Sequence, residues 1–200
     1  MSHNSWIHRI VRPTVVKPLA STPVTPNQLT TARLLAGIAA AALMAAGPAW
    51  QGIAAGVFVL SVALDRCDGE LARLTGKTSP GGHRYDMIAD AVCNALILIG
   101  LGIGLREGGV WSIPMGVLAG LSVAAILWMV MRMEEAGGHR AAELPSFGGF
   151  DADDAVLLIP VFVWLGMAEG LLTAAAIIAP LVAVLFLVMF RRKLSAAELE

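Results

Sequence analysis

Charge is what this chain lacks most. Only 14% of its 200 residues are Asp, Glu, Lys or Arg, against about 25% in a soluble protein. A globule of this size cannot cover its surface with so few charges, so a water-soluble monomer is excluded. A net charge of −1 excludes a general electrostatic binder of nucleic acid. Cys67 and Cys93 are the only cysteines, too few and too apolar in setting for a disulfide scaffold, and they read as small buried residues. The four histidines are scattered without metal-ligand spacing and read as surface residues. No internal repeat and no low-complexity tract is present. The first 28 residues lack the apolar core and small-residue cleavage site of a signal peptide.

Apolar residues are plentiful, at 57%, and they fall in runs of membrane length. A helix needs roughly 20 such residues to cross the hydrocarbon core. Between Arg33 and Asp65 there is no charge, and Gly47-Pro48 divides that stretch in two. Six spans are predicted, over 29–46, 50–72, 86–105, 110–131, 154–168 and 171–190, the fifth being the shortest. The fold class is therefore all-α: a polytopic bundle of six transmembrane helices. Residues 1–28 form a juxtamembrane segment, 29–193 the six-helix domain and 194–200 a cytoplasmic tail. Abundant Gly and Ala in the spans permit close helix approach. In the first segment Trp6, Ile7, Ile10 and Val11 share one helical face against His8, Arg9 and Arg12, and Pro13 ends it, as in a short amphipathic helix on the membrane surface.

Orientation follows from the basic residues. Six spans place both termini on one side, together with the loops near 73–85 and 132–153. Only Arg106, of 14 Lys and Arg, then lies opposite. The positive-inside rule puts the termini and both loops in the cytoplasm, at the cell (inner) membrane. Trp50 and Trp111 mark the outer boundary and Tyr85 the inner one.

The informative stretch carries four aspartates. Asp65 and Asp68 are three apart, Asp86 and Asp90 four apart, so on helices each pair shares a face. A short loop joins the two helices, and the faces are expected to meet at the cytoplasmic end. An aspartate at a helix centre costs about 2.5–3.5 kcal/mol, so four uncompensated ones approach about 10–14 kcal/mol. Protonation or cations relieve this. Arg66, Arg73 and Arg84 offset part of the charge. Hard carboxylate oxygens select Mg²⁺ or Mn²⁺, and two such ions would balance four carboxylates. Gly69 and Gly82 offer bare backbone, Ala72 keeps the groove open, and Arg73 is placed to hold a phosphate. The polar stretch Thr75 to Pro80, including Thr78, is expected to cap the site as a loop.

Asp65-x2-Asp68-Gly69-x2-Ala72-Arg73-x8-Gly82-x3-Asp86-x3-Asp90 resembles the complete signature of the CDP-alcohol phosphotransferases. Eight residues at fixed spacing, each at a frequency of roughly 0.06, recur by chance at about 10⁻¹⁰ per starting position. The approach Thr25-Pro26-Asn27-Gln28-Leu29-Thr30, with Arg33 after it, is similar to the family's lead into its first span. The resemblance implies a metal-dependent membrane enzyme, usually a homodimer, that displaces CMP from a CDP-linked donor by means of an alcohol. It assigns Asp65, Asp68 and Asp86 as metal ligands. Asp90 becomes the general base, also touching the second of two divalent ions, and Gly69, Ala72, Arg73 and Gly82 line the CDP pocket.

The resemblance implies CDP-diacylglycerol or a polar CDP-alcohol as donor, and glycerol phosphate, inositol phosphate, inositol or serine as the expected acceptor. Asn27, Arg33, Thr78, Arg132 and Arg140 are candidate substrate or phosphate contacts, and Arg191-Arg192-Lys193 reads as a membrane-edge stop. The stretch 133–154, with Glu134, Glu135, Glu143, Asp151, Asp153 and Asp154, either repels an anionic acceptor or forms a solvated face, and Phe147–Asp151 reads as a bend. A different class of function, a cation transporter using the aspartates as a pathway, calls for ionisable groups near the midplane and repeated halves.

Overall fold

The computed structural model describes residues 16–137 and 156–197. The amphipathic segment over residues 6–12, Arg140 and most of the acidic stretch, with its Phe147–Asp151 bend, lie outside the described residues. Within them every regular element is helical: α1 (Lys17–Ala20), α2 (Pro26–Ala45), α3 (Pro48–Thr75), α4 (Pro80–Gly104), a 3₁₀ turn (Arg106–Gly108), α5 (Ser112–Gly137), α6 (Leu158–Trp164) and α7 (Ala168–Ala197).

Local chemistry sets the boundaries. Thr25 caps α2 reciprocally with Gln28: the Gln28 amide donates to Thr25 Oγ1 at 3.4 Å, and the Thr25 amide donates to Gln28 Oε1 at 2.9 Å. Pro26 takes the first turn, where its missing N–H costs nothing. Gly47, at φ +114°, turns the chain between α2 and α3 in a region that L side chains rarely adopt. α3 then runs 28 residues, about 42 Å, and exceeds the roughly 30 Å hydrocarbon core. It ends on Gly76 at φ +66°, where the Lys77 amide donates to the Ala72 carbonyl at 3.0 Å.

The third span starts earlier than its hydrophobicity indicates. Ser79 Oγ accepts from the Gly82 amide at 3.0 Å and Pro80 opens the helix, so α4 begins six residues before Asp86. Only 76–79 remain outside helix, a shorter connection than the loop expected over 75–80.

Among the described residues five helices, α2, α3, α4, α5 and α7, are long and apolar enough to cross a membrane. The expected fifth span, 154–168, is helical from Leu158 to Trp164, seven residues that reach only about 10 Å. Trp164 Nε1 donates to the Gly52 carbonyl at 3.1 Å and ties α6 to α3.

The packing order decides where the site falls. α2 lies along both α3 and α4, which touch each other at few points; α4 also packs on α5, and α5 on α7. The apolar core joins Ala40 and Met44 of α2, Ala54, Ala55 and Phe58 of α3, and Ile97, Leu98 and Leu101 of α4. A smaller cluster of Val16, Leu29, Cys67 and Leu71 lies toward the other end of α3. Both cysteines are free and buried, as expected.

Close approach depends on glycine. A Cβ on Gly102 of α4 would stand 2.9 Å from the Gly116 Cα of α5 and 2.5 Å from the Ser112 carbonyl oxygen, backbone atoms that cannot rotate away. Gly102→Ala should therefore lower stability by about 1–3 kcal/mol, read as a fall in the thermal midpoint of the detergent-solubilised protein. Gly56→Ala, whose Cβ meets nothing within 4 Å, should leave the midpoint unchanged or slightly raised.

Candidate active site

α2 packs along both α3 and α4, and the two aspartate pairs converge beside this three-helix contact. Asp65 and Asp68 occupy the last third of α3, and Asp86 and Asp90 the second and third turns of α4. From α2, Arg33 enters the space between them and is buried to 2% exposure. Its Nη1 donates to Asp65 Oδ1 and, at 2.8 Å, to Asp90 Oδ1. Its Nη2 donates to the Asp86 carbonyl oxygen at 3.0 Å. One turn earlier Thr30 Oγ1 donates to Asp68 Oδ2 at 2.7 Å. Ser61 Oγ of α3 donates to the Arg33 carbonyl at 2.8 Å, fixing the register of the two helices.

Asp65, Asp68 and Asp86 each offer a carboxylate oxygen, and the three oxygens lie within 4.8 Å of one another. Asp68 is buried, while Asp65 and Asp86 open partly to the cavity. Asp86 Oδ1 is shielded from solvent and makes no hydrogen bond; the nearest Arg33 nitrogen, Nε, is 3.8 Å away. A buried carboxylate oxygen without a donor, among three convergent hard ligands, fits a divalent cation. Asp90 stands apart: its partner is Arg33, and its side chain is the most exposed of the four at 36%.

A cavity of about 110 Å³ opens beside these groups, lined by Arg33, Asp65, Arg66, Gly69, Arg73, Asp86 and Asp90, with Phe58, Leu127 and Val156 among its apolar walls. With Arg73 set against its partner Glu70, four carboxylates against Arg33 and Arg66 leave a formal −2. Arg33 thus joins Arg66, already set against the aspartates from the sequence, in meeting half of that charge from within the chain.

The other expected residues divide. Gly69 and Arg73 line the cavity, and Arg73 also pairs with Glu70 at 3.0 Å. Gly82 is needed for space, since a Cβ there would come within 3.0 Å of Ser79 Oγ and 3.2 Å of Asn27 Oδ1; Asn27 therefore stands beside it. Ala72 is half-buried and outside the cavity lining, and Thr78 is exposed in the connection before α4. Arg132 is engaged elsewhere, 3.4 Å from Glu135 and over the Trp128 ring at 5.5 Å, and it is not among the cavity-lining residues. His83 is no bare surface histidine, for it meets Glu134 of α5 at 3.0 Å. Arg84 approaches Glu135 at 3.9 Å rather than the aspartates.

Sequence reasoning missed Thr30 and Ser61, and it took Arg33 for a substrate contact. The signal for Arg33 was its place one turn inside an otherwise apolar span, where an unpaired guanidinium is costly and must find carboxylates.

The chain matches the CDP-alcohol phosphatidyltransferase family over residues 23–189, which includes all eight signature residues and Arg33. It is 37% identical over 86 residues to a bifunctional IPC transferase and DIPP synthase of Rubrobacter xylanophilus, covering 43% of this chain and 19% of that protein. It is 36% identical over 101 residues to an archaetidylinositol phosphate synthase of Pyrococcus horikoshii, covering 47% of this chain and 53% of the relative. The matches thus span about a fifth of the first relative and about half of the second. With the family's match extending over most of its length and the signature aspartates gathered around one cavity, this chain belongs to the CDP-alcohol phosphatidyltransferase family.

Proposed function

We propose that the protein transfers a phosphatidyl group from CDP-diacylglycerol to an alcohol hydroxyl and releases CMP, a step of phospholipid biosynthesis. The observation that carries this reading is the convergence of the three carboxylates of Asp65, Asp68 and Asp86 beside a cavity that Asp90, Gly69 and Arg73 also line or border. The aspartates all lie in the last eleven residues of α3 or the first eleven of α4, at one end of the bundle, where a lipid headgroup lies and an ion pathway through the midplane does not. A polar CDP-alcohol is the alternative donor.

Asp65, Asp68 and Asp86, with Asp90 beside them, would hold two divalent ions, Mg²⁺ or Mn²⁺. When bound, such ions neutralise the pyrophosphate and hold its leaving group in line. The chain's own residues do the rest. Thr30 orients Asp68, and Gly69 lets the donor approach the backbone. Arg73 holds a phosphate oxygen, and Gly82 leaves room for Ser79 and Asn27 at the start of α4, outside the cavity lining. Asp90, the most accessible carboxylate, takes the acceptor's hydroxyl proton as its oxygen bonds to phosphorus and the bond to CMP breaks.

For the acceptor, inositol phosphate is favoured over glycerol phosphate, inositol and serine, because the Pyrococcus relative carries an inositol phosphate product in its name. The working assembly is a homodimer in the cell membrane, with residues 29–193 as the catalytic domain and the site facing the cytoplasm. Trp164 of α6 meets Gly52 near the end of α3 remote from the site, so α7 runs back and both termini face the cytoplasm as well. The basic residues support that orientation.

Three experiments test this reading. Asp90→Asn should keep donor binding and lose turnover by about 10²–10⁴-fold, measured as CMP release; near-wild-type release would remove the base assignment. Thr30→Val should weaken activation by Mn²⁺ by about 10–100-fold, since it frees an oriented ligand, and an unchanged Mn²⁺ dependence would detach Thr30 from the metal. Radiolabelled acceptors offered singly with CDP-diacylglycerol and Mg²⁺ should give labelled lipid with inositol phosphate; label from serine alone would reassign the acceptor, and no CMP with any alcohol would end the transferase reading.

A further inference from the structure

Arg33 divides the aspartates into two sets that share one member. Asp65, Asp68 and Asp86 converge within 4.8 Å, while Asp65 and Asp90 are joined by a single nitrogen, Arg33 Nη1. That nitrogen engages Oδ1 of both residues, and a cation bridging them would need the same place. The guanidinium is buried and also anchored to the Asp86 carbonyl, so it is held on the carboxylates rather than free in solvent. It also lines the cavity, so a phosphate oxygen arriving there would offer it a new partner.

Charge points the same way. With Arg73 neutralised by Glu70, four carboxylates against Arg33 and Arg66 leave −2, which one divalent ion cancels. A second ion would leave the site at +2 until an anionic pyrophosphate entered. We infer that Arg33 competes with the second divalent ion for Asp65 and Asp90, so that the chain loads one ion at Asp65, Asp68 and Asp86 and takes up the second only when a bound pyrophosphate draws Arg33 away. This rests on the metal-dependent reading above and adds an order to it. Arg33 is thereby a positioning residue that sets metal occupancy.

The test is a Mn²⁺ titration of the full chain in detergent, with free Mn²⁺ followed by electron paramagnetic resonance, with and without CDP as a pyrophosphate-bearing probe. The wild type should bind one ion firmly and a second about tenfold or more weaker, and CDP should narrow the gap. Arg33→Gln should tighten the second site about tenfold or more, change the first less, and reduce the effect of CDP. Arg33→Lys, which keeps the charge, should leave the second site weak. An Arg33→Gln protein with its first site intact and its second no tighter than wild type would overturn the inference. Should that variant fail to fold, the wild type decides alone: two equal sites indifferent to CDP, or no second site even with CDP, would overturn it. A wild type that binds no Mn²⁺ at all would instead sink the metal reading on which the order rests.

Discussion

A buried guanidinium between acidic groups is the contact on which the rest of the arrangement depends. Four carboxylates at one end of an apolar bundle repel one another, and the chain answers with a cation of its own, Arg33, at 2% exposure. Removing one partner of such a buried pair typically costs 3–5 kcal/mol, because the other charge is stranded. The pair says less about net stability than about arrangement. Arg33 reaches Asp65 on α3, and Asp90 and the Asp86 carbonyl on α4, from α2. Only one mutual register of three helices allows all of these together. The ion cluster therefore specifies the assembly in a bundle where apolar packing against lipid discriminates weakly.

That register needs backbones close enough for a side chain from α2 to reach both neighbours. Small residues supply the closeness. Gly37 of α2, one turn past Arg33, leaves room for the Cys93 side chain of α4, and Gly100 and Gly104 lie against the backbone of α2 at Ala41 and Met44. Ser61 adds a hydrogen bond from α3 to the Arg33 carbonyl itself. The apolar core at one end and the polar site at the other are thus two parts of the same helix contact: closing α2 onto α4 through glycine carries Arg33 into place.

Much of this was legible in the sequence, for reasons that also mark the limit. Apolar runs divided by Gly47-Pro48 gave the helices, and the spacings of Asp65 with Asp68 and Asp86 with Asp90 gave shared faces. Spacing within a helix says nothing of which helix a face meets. α3 and α4, joined by a short connection, were expected to meet directly, yet α2 lies along both and they scarcely touch. The start of α4 was hidden because hydrophobicity begins at Asp86, whereas the helix is started by Ser79 and Pro80, a capping effect independent of apolar content. The fifth span was the weakest run, and its described part is a seven-residue helix. Arg33 was placed inside the first span as a candidate phosphate contact, and its pairing with carboxylates on two other helices was not legible because spacing along one helix does not show its neighbours.

The same geometry bears on how four chemically identical side chains come to stand in different surroundings. Nothing in the signature distinguishes Asp90 from its neighbours except position. In the folded chain, Asp68 is enclosed and tied to Thr30, Asp65 is shared between Arg33 and the carboxylate cluster, and Asp86 keeps an oxygen without a donor. Asp90 lies outside the group of three and faces the cavity with the guanidinium behind it. A ligand for a cation must converge with others, whereas a proton acceptor must reach substrate and be steadied from one side. Placement relative to Arg33 separates these requirements. One residue from a neighbouring helix thus turns a uniform set of acids into a graded one, which a spacing pattern confined to α3 and α4 does not reveal.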